Sequence, residues 1–238
     1  MVSNRVSESE FESYRSIQTV AKSTLVELQK TIRVGETERT IARRAVELLK
    51  HAGIEETWYY ACPAFVLAGE RSTLSISGRD YRPADVRPRE VDLVSIDLSP
   101  CRGSIWGDCA RTYCLEAGKY VADPASPEFR QGLEVESLLH KQLKEIASPE
   151  MTFSELFLRM NRVIADLGFE NLDAFSNLGH SLERNLADRK YIDEQNHLAL
   201  GSVGFFTFEP HLRAVGSLWG FKHENVYFFD VEGVLQEL

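Results

Sequence analysis

Two aspartates in this 238-residue chain stand where they could share a metal ion. Asp97 lies in an apolar run rich in β-forming residues, 91–98, and Asp108 opens a second such run, 108–115. Their midpoint falls between Arg102 and Gly103, where a tight turn is expected. Residues placed symmetrically about a hairpin turn face each other with Cβ atoms roughly 4.5–5.5 Å apart. The spacing therefore predicts a facing pair of aspartates.

Two glutamates repeat the arrangement near the end of the chain. Glu209 closes the run 204–209 and Glu224 opens the run 224–229. Their midpoint lies between Gly216 and Ser217, and glycine followed by a small polar residue is typical of a type II′ hairpin turn. We therefore predict a second facing pair of carboxylates.

Four carboxylates in apolar strands create an electrostatic problem. Like charges at this range raise each other's pKa, and burying them uncompensated costs several kcal/mol per ion. A divalent cation resolves the conflict, and His180 in the segment 178–181 adds an imidazole. Four carboxylates with one imidazole suit two ions about 3.5–4 Å apart, bridged by a water or hydroxide. Singly, His180 is typical of a structural histidine and Glu224 of a surface ion pair; the combination predicts the metal site.

Five short segments around these residues resemble, in order, the metal-ligand motifs of the pita-bread metallopeptidases. That family includes methionine aminopeptidase, prolidase, aminopeptidase P and creatinase. The spacings are similar to those of prolidase, with 11 residues between the aspartates, 29 from His180 to Glu209 and 15 between the glutamates. The segments are Ile96-Asp97-Leu98-Ser99, Gly107-Asp108-Cys109-Ala110-Arg111-Thr112-Tyr113, Leu178-Gly179-His180, Thr207-Phe208-Glu209-Pro210 and Lys222-His223-Glu224-Asn225.

The resemblance implies a role for each of the five residues. Asp97 would chelate one ion, Asp108 and Glu224 would bridge both, and His180 and Glu209 would complete the shell of the other. Glu209 and His180 are accordingly the predicted catalytic residues. Glu209 is the candidate to take a proton from water and return it to the leaving amine. The cofactors expected are two divalent ions, with Mn, Fe, Co and Zn all compatible with this donor set.

The resemblance also implies the fold. We expect an α/β (α+β) pita-bread fold, with two pseudo-twofold halves and a curved, mainly antiparallel sheet flanked by helices. Residues 1–8 are predicted to be a flexible tail and residues 9–238 a single catalytic domain. Periodicity and capping signals predict helices from Ser9 to about Arg33, from Thr37 to Leu49, over Pro127–Ala147 and over Phe153–Leu167, and a strand over Trp58–Ala68.

Two histidines that the peptidases of this family use to bind substrate have no counterpart. There is no histidine between residues 51 and 140, and none in the segment 181–188. Loss of one such donor costs on the order of 10²–10³ in rate. Arg79 and Asp80 are the predicted charged replacement for the first histidine. His211 and His223 are the predicted substitutes near the metal site, with a solvated or structural role as the alternative for each. Alternation would turn His223 to the opposite sheet face from Glu224.

Other side chains have weaker assignments. His197 lies in a polar loop and is the least favoured substitute histidine. The aromatic run 58–60 is compatible with a pocket wall or with ordinary core packing. Arg111 and Thr112 follow Asp108 and are expected to orient the metal-binding carboxylates from behind.

Composition excludes several classes of partner. A net charge of −9 argues against nucleic acid and anionic membrane. The four cysteines form no Cys-x-x-Cys pair, residues 1–10 contain no apolar core of a signal peptide, and no apolar run reaches membrane-spanning length. We therefore expect a cytoplasmic protein with reduced thiols that acts on a small molecule or short peptide. The sequence leaves open whether the protein forms a homodimer.

The predicted function is that of a dinuclear metal-dependent hydrolase, resembling an aminopeptidase or prolidase, that cleaves a small peptide or amide bond. Two alternatives stay open. The same metal pair could serve elimination or C–N or C–S cleavage of a small metabolite, as in a related dimethylsulfoniopropionate lyase. The chain could also be a non-catalytic binding module.

Overall fold

Four helices form at the places that the sequence predicts. The computed structural model describes residues 6–238. Its helices are α1 (Glu8–Gln29), α2 (Glu38–His51), α3 (Pro127–Ile146) and α4 (Phe153–Asp166). Each begins after a hydroxyl side chain that accepts a hydrogen bond from a backbone N–H of the first turn, namely Ser7, Thr37, Ser126 and Thr152. These capping hydrogen bonds therefore stabilise the start of each helix.

Thirteen strands connect only in antiparallel pairs within the described part of the chain. They form a four-stranded sheet in the order β2-β3-β6-β7 and three three-stranded sheets in the orders β1-β4-β5, β11-β10-β8 and β13-β12-β9. The strands are β1 (Glu56–Thr57), β2 (Ala64–Ala68), β3 (Asp92–Leu98), β4 (Pro100–Arg102), β5 (Ile105–Trp106), β6 (Cys109–Glu116), β7 (Lys119–Val121), β8 (Phe169–Asn171), β9 (Phe206–Phe208), β10 (His211–Ala214), β11 (Phe221–Lys222), β12 (Asn225–Phe229) and β13 (Leu235–Glu237).

Two hydrophobic cores divide the chain into halves of similar order. In the first, Ile41 of α2 packs with Val66 of β2 and Ile96 of β3. In the second, Leu139 of α3 packs with Phe206 of β9. Each half thus presents two helices to the back of an antiparallel sheet, and burial of apolar surface between these layers drives the fold.

The chain before β2 departs from the prediction of a continuous strand over 58–68. Only Ala64–Ala68 is strand, because Tyr60 and Ala61 adopt left-handed backbone angles (φ 46° and 56°). A hydrogen bond from Cys62 N to Tyr59 O (2.8 Å) closes this turn. The Trp58 indole is anchored separately, since its Nε1 donates to Gly107 O (3.0 Å). The turn carries the aromatic side chains away from the sheet ladder.

The amino-terminal boundary also differs from the prediction. Residues 1–5 of the predicted tail lie outside the described part of the chain. Ser7 already caps α1 and Glu8 belongs to its first turn. The four cysteines are buried and unpaired. Among residues 6–238 there is no helix with the length and apolar character needed to cross a lipid bilayer.

Candidate metal centre

The two aspartates come from a hairpin whose register differs from the symmetric one predicted. Asp97 of β3 lies opposite Ala110 of β6, not opposite Asp108. The turn is centred one residue later than expected, because Gly103 supplies the positive φ (60°) and β4 pairs with β5 across it, with Arg102 opposite Ile105. A displacement of two residues keeps Asp97 and Asp108 on the same sheet face, as diagonal neighbours.

The two glutamates come from a second hairpin, and its predicted register is confirmed. Asn225 pairs with Phe208 on one side of the glutamates, and Lys222 pairs with His211 on the other. The same register places Glu209 opposite Glu224. The connection is longer than a two-residue turn, since β10 ends at residue 214 and β11 begins at residue 221.

The hairpins are joined along β6. Glu224 N donates to Ala110 O (3.0 Å) and Lys222 N donates to Thr112 Oγ1 (2.7 Å). The Arg111 guanidinium donates to Glu224 O (2.6 Å) and to Asn225 Oδ1 (2.7 Å). Arg111 and Thr112 therefore hold the backbone on either side of Glu224 in place. This is consistent with the prediction that they orient the metal-binding carboxylates.

His180 reaches the site through an unusually close approach of two backbones. Gly179 has φ 143°, and a Cβ built there would lie 2.3 Å from the carbonyl oxygen of Thr207. Without that Cβ the segment pairs with β9, through Thr207 N to His180 O (2.7 Å) and Glu209 N to Leu178 O (2.9 Å). Glycine before His180 is thus required for the imidazole to lie beside Glu209.

The five predicted ligands converge. Asp97, Glu209 and Glu224 each offer a carboxylate oxygen within 4.8 Å of the other two. His180 Nε2 lies 3.5 Å from Asp108 Oδ2 and 3.8 Å from Glu209 Oε1. The structure therefore brings the side chains of these four acids and of His180 close together.

A lysine that sequence reasoning set aside enters the same centre. Lys222 Nζ lies 2.6 Å from Asp97 Oδ2 and 2.9 Å from Glu209 Oε2. The signal was present, because Lys222 and Glu224 are two residues apart and alternation turns both to one face. Burial alone would raise the pKa of Glu209, but Lys222 and His180 hold it below its usual value. The pKa of Asp97 stays raised by burial in spite of the lysine.

The other two acids receive no such compensation. Both carboxylate oxygens of Glu224 are buried and have no hydrogen-bond partner among residues 6–238. Burial, together with the charges of the neighbouring acids, raises the pKa of Glu224 and of Asp108 well above the usual range. A buried polar group without a partner costs free energy, so these oxygens are ready to bind a cation.

His180 is prepared as a neutral ligand. Its Nδ1 lies 2.9 Å from Ser181 O, so Nδ1–H donates to that carbonyl and Nε2 is left with a lone pair toward the acids. Burial lowers the pKa of His180 to about 4, which keeps the imidazole neutral at pH 7. The donor set fits a divalent metal, because an oxygen-rich shell with one neutral nitrogen suits such ions.

The structure separates the four predicted substrate residues. His211 lines the cavity over the site, with Nε2 2.7 Å from Ser72 O. His223 packs on the His140 ring (4.3 Å between centroids) and is not among the cavity-lining residues, as alternation indicated. Arg79 and Asp80 are exposed and do not line the cavity either, because the Arg79 guanidinium packs on the Tyr60 ring (4.5 Å). The positions of Arg79, Asp80 and His223 thus do not support direct substrate contact.

The remaining weak candidates divide in the same way. His197 Nδ1 lies 3.0 Å from Ser154 Oγ, and His197 is not among the residues that line the cavity. Trp58 and Tyr59 line the cavity, whereas Tyr60 does not. The aromatic run therefore supplies both a pocket wall and outer packing.

A cavity of about 850 Å³ opens over the acids. Its lining includes Arg189 and Tyr191, which follow the segment where a family histidine is missing. Sequence reasoning did not single out Arg189, since it lies in an irregular stretch without helical or strand periodicity. A cavity of this size is adequate for a small ligand beside a metal.

The sequence model of metallopeptidase family M24 matches residues 12–233, so the chain belongs to that family. Among proteins with curated descriptions none matches the chain. Solved structures similar to this chain include an X-Pro aminopeptidase from Thermotoga maritima MSB8, with 20% identity and a TM-score of 0.80 over 97% of this chain and 61% of that one.

Two prolidases are similar to the same degree. The one from Pyrococcus furiosus has 23% identity and a TM-score of 0.80, over 98% of this chain and 64% of that one. The one from Pyrococcus horikoshii OT3 has 21% identity and a TM-score of 0.81, over 98% and 62%. The chain spans less than two thirds of the length of each of these structures. These likenesses establish the fold, so the predicted pita-bread architecture is confirmed.

Proposed function

We propose that this protein is a metal-dependent hydrolase that cleaves a peptide or amide bond in a small substrate, with two divalent ions held by Asp97, Asp108, His180, Glu209 and Glu224. The observation that carries the proposal is the carboxylate of Glu224, which is buried among other acids and has no hydrogen-bond donor within residues 6–238. Membership of a metallopeptidase family supports it. Ions bound there would supply Lewis acidity and a water of lowered pKa.

Glu209 is the group that we assign to proton transfer. Its lowered pKa keeps it ionised at neutral pH, as a base must be. Thr207 Oγ1 donates to Glu209 Oε1 (3.2 Å) and Lys222 donates to Oε2 (2.9 Å), so the carboxylate is held from two sides. In this role Glu209 accepts a proton from water and delivers it to the leaving amine. His180, neutral and fixed by Ser181, orients its lone pair toward the same point.

A reaction other than hydrolysis is the second candidate. The observation that favours it is the set of basic side chains lining the cavity, which are His180, His211, Arg189 and Lys222, while the two substrate-binding histidines that the family resemblance implies are missing from the segments 52–139 and 181–188. Elimination or C–N or C–S cleavage of a small metabolite would use the same metal site. A purely binding role is disfavoured, because clustered buried acids are costly to maintain.

Metal content and substrate screening test the proposal together. Protein loaded with Mn²⁺, Co²⁺ or Zn²⁺ is assayed on Xaa-Pro dipeptides, aminoacyl amides and small zwitterions. We expect amide cleavage by the wild type and its loss in Asp108→Asn. Asp166→Asn is the matched control, since that aspartate is 74% exposed on α4. Amide turnover that persists in metal-depleted Asp108→Asn would overturn the proposal, and turnover of zwitterions alone would select the second candidate.

Three further expectations keep the status of predictions. They are location in the cytoplasm, the absence of a nucleic-acid or membrane partner, and the possibility of a homodimer.

A further inference from the structure

Gln18 of α1 holds the backbone of Asp108 at both of its polar groups. Its Nε2 donates to Asp108 O (2.7 Å), and its Oε1 accepts from Asp108 N (2.9 Å). Gln18 is 1% exposed, which makes these two bonds stronger than bonds open to water. One buried side chain therefore fixes the main chain of a predicted metal ligand from a helix 90 positions earlier in the chain.

Asp108 depends on this clamp because the sheet ladder does not hold it. Strand β5 ends at residue 106 and β6 begins at residue 109, so Asp108 lies between them. Asp97, in contrast, lies inside β3 and pairs with Phe65 on one side and Ala110 on the other. The two hydrogen bonds from Gln18 thus take the place of strand pairing at Asp108.

His140 of α3 holds the backbone beside Glu224 in a similar way. Its Nε2 lies 3.1 Å from His223 O, and Nε2–H donates to it, because a carbonyl oxygen can only accept. Burial lowers the pKa of His140 to about 4, so the ring is neutral at pH 7 and its Nδ1 accepts from Tyr227 Oη (2.7 Å). The carbonyl of His223 belongs to the planar peptide that precedes Glu224, so this contact fixes the orientation of that peptide.

The two contacts occupy corresponding places in the two halves of the fold. Each comes from the first helix of its half and reaches the chain just ahead of a strand, β6 or β12. A Cβ built on Gly107 would lie 2.6 Å from Ile17 Cγ2, and one built on Gly132 of α3 would lie 2.3 Å from the Phe221 ring. The absence of a side chain at these glycines therefore lets each helix lie close to the segment that it holds.

The carboxylates of Asp108 and Glu224 have little else to place them. Both oxygens of Glu224 are without a hydrogen-bond partner in residues 6–238, and the Asp108 carboxylate has His180 Nε2 at 3.5 Å as its neighbour. Where such a side chain lies is determined mainly by its own backbone. The contacts of Gln18 and His140 therefore determine how far apart the two acids are held.

We propose that Gln18 and His140 are paired positioning residues, which hold Asp108 and Glu224 in place before a cation binds and thereby set the affinity of the site for a divalent ion. The assignment rests on the proposed function for the nature of the bound group. Neither residue contacts the ion or the substrate, since both act through the backbone of the two acids.

Mn²⁺ titration by calorimetry tests the proposal in Gln18→Met and His140→Phe. These variants keep much of the side-chain volume and lose the hydrogen bonds to the backbone. We expect the affinity for Mn²⁺ to fall by about 10–100-fold in each, the range found for residues that orient metal ligands. Unchanged affinity in either variant would overturn the pairing.

Two buried neighbours on the same helices are the controls. Thr24→Val alters a polar residue of α1 that is 4% exposed and has no side-chain hydrogen bond to β6 within residues 6–238. Leu139→Val leaves a small cavity in the second core, next to His140, and lowers stability through packing alone. Both are expected to bind Mn²⁺ within about twofold of wild type. An equal loss of affinity in Leu139→Val and His140→Phe would reduce the effect of His140 to stability and overturn the proposal.

Hydrogen exchange in the wild-type protein tests the proposal without a variant. Asp108 N donates to Gln18, and Glu224 N donates to Ala110 O. Relative to the amide of Ile96 in β3, we expect both amides to be equally protected after dialysis against EDTA and after loading with Zn²⁺. Rapid exchange in the metal-free protein, with protection only after Zn²⁺ is added, would mean that the cation and not the clamps orders these acids.

The outcomes also separate this proposal from the proposed function. A protein whose Mn²⁺ affinity depends on both Gln18 and His140 yet cleaves no amide would refute the proposed function and leave this assignment intact. An amidase whose Mn²⁺ affinity is the same in both variants as in wild type would refute the assignment alone.

Discussion

The four acids of the centre fall into two pairs with different surroundings. Asp97 and Glu209 have side chains that are 23% and 22% exposed, and they share the ammonium of Lys222. Asp108 is 5% exposed and Glu224 is fully buried, and neither is paired with Lys222 or any other lysine or arginine in residues 6–238. The chain thus compensates the outer pair with its own cation and leaves the inner pair to a cation from solution.

This difference predicts how the metal-free protein responds to pH. The pKa of Glu224 is raised far above the value of about 4.3 that an unfolded chain gives. Between those two values Glu224 binds a proton in the folded state but not in the unfolded state, so the contribution of Glu224 to stability falls as pH rises above about 4.3. A divalent ion on the inner pair should remove much of that loss.

The largest effect is expected from Glu224→Gln, which removes the inner charge while keeping the shape. The metal-free variant should exceed the metal-free wild type in stability at pH 8 by about 1–3 kcal/mol, because folding at pH 8 must either bury the Glu224 charge unpaired or protonate it, whereas glutamine is uncharged in both states. Its affinity for Mn²⁺ should fall by more than about 100-fold, since loss of a ligand exceeds the effect of losing a supporting residue. Thermal unfolding at pH 5 and pH 8, with and without Mn²⁺, measures both effects.

Glu145→Gln serves as control, because Glu145 is 59% exposed on α3. The interpretation of the inner pair fails if the difference in stability between metal-free wild type and metal-free Glu224→Gln is the same at the two pH values, or if Mn²⁺ stabilises the Glu224→Gln variant as strongly as wild type.

A smaller effect is expected at the outer pair from Lys222→Met. Removing the ammonium leaves Asp97 and Glu209 uncompensated, at a cost to metal-free stability on the order of 2 kcal/mol, between the values for exposed and fully buried pairs. Added Mn²⁺ should recover most of this loss, since the ions then neutralise all four acids. Denaturant unfolding with and without Mn²⁺ measures it.

Lys190→Met is the comparison for that variant, as Lys190 pairs with Glu183 outside the centre. An equal loss of stability in the presence and absence of Mn²⁺ would mean that Lys222 has a packing role and no part in charge compensation.

The smallest effect is expected from Thr207→Val, which acts on the link between the pairs. Thr207 Oγ1 accepts from His180 N (3.0 Å) and donates to Glu209 Oε1 (3.2 Å). Its loss should weaken Mn²⁺ binding by about tenfold, as for other residues that orient ligands from behind. Thr73→Val is the control, because Thr73 Oγ1 donates to the nearby Glu70 O (2.8 Å) and has no other side-chain hydrogen bond within residues 6–238. Calorimetric affinities equal to wild type in Thr207→Val would remove Thr207 from the site.

Local chemistry made much of the fold predictable. Apolar periodicity predicted the four helices, and Thr37 predicted the start of α2. Symmetry about Gly216 and Ser217 predicted the register that places Glu209 opposite Glu224. The aspartate hairpin was predicted one residue out of centre, because Gly103 takes the positive φ and moves the turn. The correct sheet face survived, since an even shift of register preserves it.

Other parts of the site depend on long-range contacts that a sequence does not display. Tyr60 and Ala61 break the strand predicted at 58–68, and only the fold shows that Trp58 must reach Gly107. Strand alternation already indicates that Lys222 and Glu224 face the same side, but the prediction did not include Lys222 in the site. Arg189 had no such signal, because the cavity wall that contains it combines its neighbour Tyr191 with Trp58, which lies more than a hundred positions earlier in the chain.

Anomalous diffraction can show directly whether these five side chains bind divalent metal ions. Crystals of the protein grown with excess Mn²⁺ would be measured on both sides of the manganese absorption edge. We expect one strong anomalous peak within bonding distance of Glu224, Asp108 and His180, and a second peak beside Asp97. An anomalous map without density at the inner acids under saturating Mn²⁺ would contradict it.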